Sequence, residues 1–205
     1  MKKATLLVFS LACLLGPTSR ADQQKLAESI GQAHMEMTKT SEQLKATLSA
    51  LNALTGQKEG DLRPTYEAYC AEVKKTAAAA DTTRSRVQWM AGDGRAYFKS
   101  WQATIDSISN EGLRKKAQKR LDSVKQSYGK VEALLQQAGD KFRPFLSDLM
   151  DIEKALAADV TAGGVKALKG TVKSANWNHQ YVEKAINSAL KETSKMEKAL
   201  SPEAK

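Results

Sequence analysis

Apolar residues recur every seven positions along four stretches of the chain, with a second row three or four residues away. This is the pattern of a helix whose narrow seam faces other helices. In the first stretch, residues 22–55, one row is Ile30, Met37, Leu44 and Leu51, and the other is Leu26, Ala33, Thr40, Thr47 and Leu54. Gly56 ends it, and the polar residues 57–63, with Gly60 and Asp61, make a turn before Pro64 opens a second helix. That helix carries Tyr66, Val73, Ala80, Val87, Gly94, Trp101 and Ile108 in one row and Tyr69, Thr76, Thr83, Met90, Tyr97 and Thr104 in the other, and residues 109–112 stop it.

The third stretch, residues 113–158, has the best-defined seam: Ala117, Val124, Val131, Ala138, Phe145 and Ile152 beside Leu121, Tyr128, Leu135, Phe142, Leu149 and Leu156. Pro144 lies inside it, removing a backbone donor and crowding the preceding turn, which predicts a kink. Thr161 reads as the N-cap of a fourth helix, whose first turn is weakened by Gly163 and Gly164 and which runs to about Leu200. Helices of this length, at ~1.5 Å per residue, are rods of roughly 50–70 Å, and short turns make neighbours antiparallel. The predicted fold is all-α, an elongated antiparallel four-helix bundle or coiled coil. Folding the stretches back on their turns sets Gly92 and Gly94 level with Tyr128, and Ala77 to Ala80 level with Phe142 and Phe145, so that small faces large.

Residues 1–21 stand apart from this pattern. Lys2 and Lys3 precede an apolar run over residues 4–15, followed by Gly16, Pro17, Ser19 and Ala21, which reads as a signal peptide cleaved after Ala21. The competing reading, a lipid anchor at Cys13, lacks the Leu expected three residues before the cysteine, where Ser10 stands. Residues 22–205 then form a single helical-bundle domain. Losing Lys2, Lys3 and Arg20 lowers the formal charge from +9 to +6. No other apolar run approaches the roughly 20 residues needed to cross a bilayer, so a periplasmic or secreted protein is expected. Cys70 would be its one thiol, packed near Tyr66, Tyr69 and Val73 at helical spacings and expected to be buried.

Two Cys and two His in the whole chain cannot build a tetrahedral Cys/His zinc site or a disulfide framework. His34, Met35 and Met37 are soft ligands close together, but folding the pattern puts His179 about eight residues away in level, roughly 12 Å. His179 falls on an apolar row, where a hydrogen-bonded core histidine is expected. Neither G-x-S-x-G nor a Gly-rich phosphate loop occurs, so no catalytic residue, cofactor or metal site is predicted.

The remaining chemistry is positive charge. Arg114, Lys115, Lys116, Lys119 and Arg120 open the third helix, where the macrodipole disfavours them, and Lys166, Lys169 and Lys173 follow the glycine pair at spacings of three and four. Either group could contact an anionic lipid or envelope polymer. They fall at opposite poles of the predicted bundle, which argues against the continuous basic track that nucleic acid requires. Of the aromatic residues, Trp89 and Phe98 fall just off the seam.

Three motifs carry a resemblance: Thr65-Tyr66-Glu67-Ala68-Tyr69; Thr83-Arg84-Ser85-Arg86-Val87 leading to Ala96-Tyr97-Phe98 and Trp101; and Phe142-Arg143-Pro144-Phe145-Leu146-Ser147-Asp148-Leu149. In these the chain resembles a bacterial family of secreted coiled-coil proteins catalogued as a domain of unknown function, twenty-nine fifty-nine of that series. The resemblance implies an envelope location and a helical fold, and supplies no catalytic residue. The expected function is that of a non-catalytic structural or adaptor protein of the cell envelope, contacting an envelope protein or a second copy of itself through its helix faces. The alternative is binding to an anionic surface through the basic helix ends.

Overall fold

A computed structural model describes residues 17–200, with side chains from residue 20. The helices are α1 (Pro17–Gly56), α2 (Arg63–Asp106), α3 (Glu111–Ala158), α4 (Ala162–Ala167) and α5 (Lys169–Leu200). α1 packs on α2 and α5, and α3 packs on the same two helices, closing a ring of four long antiparallel rods. The expected four-helix bundle is therefore the observed fold, with one difference. The fourth helix is broken at Leu168 into a short α4 and the long α5.

Local chemistry accounts for the ends. Asp61 Oδ1 accepts from the Arg63 amide at 2.9 Å, and Pro64 sits in the first turn of α2, where its missing N–H costs nothing. The turn before it uses Gly60 at φ +87°, the left-handed region open to glycine. Asn110 caps α3 by accepting from the Leu113 amide at 2.9 Å, and Thr161 caps α4 by accepting from the Gly164 amide at 3.2 Å. α2 closes at Asp106, earlier than its apolar row suggests, which leaves Ile108 half-buried in the turn. The helical run of α3 continues through Pro144, which lies on the exposed side of the rod.

The predicted rows supply most of the core, although Ile105, outside them, is buried while Val87, Thr104, Ile108 and Val124 within them are only half-buried. Leu26, Ile30, Leu44, Leu51 and Leu54 of α1 meet Tyr69, Met90 and Ile105 of α2, Leu121, Phe145, Leu149 and Ile152 of α3, and Ala175 and Ala189 of α5, all essentially without solvent exposure. Burying each large side chain contributes about 1.5–3 kcal/mol, so stability is spread along the rod. The core begins at Leu26, and residues 20–25 are exposed or half-buried.

One packing detail has a clear energetic consequence. A Cβ on Gly94 would lie 2.6 Å from Tyr128 Cζ, whose hydroxyl donates to the Met90 carbonyl at 3.0 Å. Gly94→Ala should therefore destabilise the bundle by about 1–3 kcal/mol, by driving the ring off that bond. Gly139, with nothing within 4 Å of an added Cβ, should gain about 0.5–1 kcal/mol on Gly139→Ala. Urea unfolding of the two variants checks the opposite signs.

Candidate functional site

Two surface depressions are open to solvent. One of 420 Å³ lies along α5 beside Lys184 and Lys191, and one of 390 Å³ lies over Gly94, Phe98 and Tyr128 with Arg95, Lys99 and Lys125 at its rim. No three of His, Cys, Asp and Glu converge among the described residues.

Polar groups inside the bundle are spent on one another. Thr47 and Thr76, both fully buried, pair at 2.7 Å, and Thr40 pairs with Thr83 at 2.9 Å. Tyr69 donates to the Leu149 carbonyl at 2.7 Å, and half-buried Tyr66 donates to the Glu153 carbonyl at 3.1 Å. Burial pushes these phenols up, that of Tyr66 to about 12, so they remain protonated donors. Cys70, expected to be buried, is half-buried beside Tyr66, and desolvation raises its thiol.

The histidines are farther apart than the sequence suggested. His34 Nδ1 lies 2.9 Å from Thr193 Oγ1. Thr193 is fourteen residues beyond His179 on the same helix, so ~21 Å separates the imidazoles in level. His179 packs on Phe145 with ring centroids 6.2 Å apart, and its Nε2 is buried without a hydrogen-bond partner, contrary to the bonded core histidine expected.

All eight candidate anion contacts, Arg114, Lys115, Lys116, Lys119, Arg120, Lys166, Lys169 and Lys173, are exposed. Among the described residues only Lys115 of these has a carboxylate partner, Glu111 at 2.6 Å. The two groups do sit at opposite poles. Lys166 belongs to α4 while Lys169 and Lys173 belong to α5, so their spacing does not run along one uninterrupted helix.

Sequence reasoning missed the outward face of α5. Lys173, Trp177, Tyr181, Lys184, Ser188, Lys191, Lys195 and Lys198 follow one another at spacings of three and four, and all are exposed. Trp177 and Tyr181, exposed by 59% and 52%, form an edge-on pair with centroids 6.2 Å apart. The three glutamates of α5 turn to the flanks. Glu183 pairs with Lys45 of α1 at 2.9 Å, Glu192 lies 3.5 Å from Lys130 of α3, and Glu197 lies against Gly31 of α1. The signal lies in Trp177, Lys184, Lys191 and Lys198 at intervals of seven, a polar row that the period of the apolar seam does not mark. Trp89 is also exposed, beneath the Arg86 guanidinium at 4.7 Å, whereas Phe98 is drawn inward onto Tyr128.

Compared with known proteins, residues 18–200 match the model of a family described as a protein of unknown function (DUF2959), the family that the three motifs resemble. No curated protein matches the chain.

His179 gives the bundle a pH dependence of defined sign. Burial lowers its pKa from the ordinary 6.5, opposed by Glu183 and assisted by Lys45. The unfolded chain thus binds this proton more readily than the native one, and its contribution, complete above pH 6.5, is lost as pH falls toward the lowered native value. Glu72, Glu183 and Glu192, held below 4.5 mainly by lysine hydrogen bonds, act in a separate window below that pH. His179→Gln should flatten the stability profile between pH 6.5 and 4.5 in chemical denaturation, and an unchanged acid slope would refute this assignment.

Proposed function

We propose that this chain, which belongs to that family of proteins of unknown function, is a non-catalytic structural or adaptor protein of the cell envelope that works through its exposed helix faces. One observation carries the reading. The bundle is filled by apolar side chains from Leu26 to Leu200, and its buried threonine and tyrosine hydroxyls are satisfied internally, so a partner is met from outside. The leader-like residues 1–21 support export, and the first buried residue among the described side chains, Leu26, lies beyond the cleavage point after Ala21. Residues 1–16, including Cys13, lie outside the described residues. No helix among the described residues is long and apolar enough to cross a membrane.

The partner in this reading is an envelope protein or a second copy of the chain. Outward aromatic and sulfur groups such as Trp89 and Met35 suit such a contact, because these side-chain types are enriched in interfaces. A second reading, binding to an anionic lipid or polymer, draws on the eight exposed basic residues at the poles, seven of which have no carboxylate partner.

Photo-reactive residues introduced at Met35 and Trp89 in intact cells test the first reading. The expected result is a discrete, reproducible adduct from at least one outward position and none from buried Leu135. Absence of any adduct from outward positions on all four long helices contradicts it.

A further inference from the structure

We propose that the outward face of α5 is a docking surface for an anionic phospholipid bilayer, with the helix lying along the membrane plane and Trp177 and Tyr181 seated at headgroup level. The proposal rests on the anionic-surface reading above, but moves the contact from the poles to one continuous face.

Charge complementarity commits it to a negative partner. Six lysines, Lys169, Lys173, Lys184, Lys191, Lys195 and Lys198, are exposed on α5, and no exposed residue of this helix is acidic. Of these lysines, Lys195 forms an ion pair with Glu192 at 3.0 Å. The acids of α5 are occupied at its flanks, by Lys45 on one side and Lys130 on the other, so they dilute the face little. From Lys173 to Lys198 the row extends ~38 Å, long enough to meet many headgroups at once.

Shape and residue type select the bilayer over a nucleic acid. A strand wants a groove that tracks its backbone. The outer side of a bundle helix is convex, and a plane meets it along its whole length. α5 contains no arginine, the residue suited to bidentate phosphate recognition, and carries only lysine, whose point charge suits a diffuse negative surface. The Trp177 and Tyr181 pair supplies what lysines lack, amphipathic rings of the kind enriched at membrane–water interfaces, presented outward where a soluble core has no use for them.

Cosedimentation of the full chain with phosphatidylcholine vesicles, with and without phosphatidylglycerol, across a salt series tests the proposal. Each lysine at an anionic surface contributes about fivefold in binding, so Lys184→Ser/Lys191→Ser/Lys198→Ser should weaken it on the order of 100-fold. Raising salt should do the same as the screening length shrinks from ~10 to ~3 Å. The pole variant Arg114→Ser/Lys115→Ser/Lys119→Ser should keep most of the affinity. Quenching of tryptophan emission by brominated lipid should vanish in Trp177→Phe. These substitutions are all at exposed positions, and an unchanged thermal melt confirms the fold. If only the pole variant loses binding, the α5 assignment fails while the anionic-surface reading stands. If no vesicle is bound at any salt, both fail. Equal binding to phosphatidylcholine alone, quenching that persists in Trp177→Phe, or an α5 variant that loses affinity for a single-stranded oligonucleotide but not for vesicles each overturns the proposal.

Discussion

A buried hydroxyl must find an acceptor, and in this bundle that requirement fixes how the rods are set against one another. Seams built from apolar sevens are nearly self-similar, so two such helices could slide by a heptad and bury almost the same area. The hydroxyls cannot slide. Thr47 meets Thr76 and Thr40 meets Thr83 between α1 and α2, and Tyr69 and Tyr128 reach the Leu149 and Met90 carbonyls from opposite sides of the α2/α3 seam. Displacement by one heptad would re-form only one threonine pair, Thr47 with Thr83 or Thr40 with Thr76, and would take Tyr69 and Tyr128 off the carbonyls they reach, at about 1–3 kcal/mol for each hydroxyl left buried and unpaired. The Gly94 notch, which admits the Tyr128 ring and nothing larger on its own side, adds a steric lock at the same level.

Because the interior is committed to register, functional chemistry is left to the surface, and the surface is not uniform. On α5 Glu183 turns sideways to Lys45 of α1, and Glu192 is shared between Lys195 of its own helix and Lys130 of α3, while the lysines of α5 face out. Exposed ion pairs of this kind contribute little to stability, so the segregation is better understood as a property of what the face presents than of what holds the fold. The aromatic pair at Trp177 and Tyr181 stands on that same face, away from the seams that absorb Tyr69, Tyr97, Trp101, Phe142 and Phe145.

Much of this architecture is legible in the sequence, because a period of seven is a global signal that local irregularity does not erase. The rows from Leu26 to Leu54 and from Leu121 to Leu156, the glycine and proline punctuation around residues 56–64, the Thr161 cap and the level of Gly94 with Tyr128 all follow from spacing. What spacing conceals is local or outward. The break at Leu168 lies four residues beyond a tight first turn in which a Cβ on Gly164 would meet the Asp159 carbonyl oxygen. The relative level of His34 and His179 depends on small offsets that accumulate over a long helix. Phe98, one position off the seam, is gathered in by Tyr128, while Trp89 is not. The α5 face was hidden because its meaning lies in what is absent from it, carboxylates, and that depends on where the glutamates turn.

The claim that hydroxyls set the register is tested most directly by removing them without changing shape. Tyr69→Phe and Tyr128→Phe with Thr47→Val, Thr76→Val, Thr40→Val and Thr83→Val, combined in one chain, keep the apolar seams and delete the six hydroxyls that set the register. The account predicts a protein that stays helical but loses its single arrangement, seen as broadened side-chain resonances in solution NMR and a less cooperative melt. A sharp, well-dispersed spectrum with the parent's set of inter-helix contacts would show that shape alone holds the rods in place, and would contradict it.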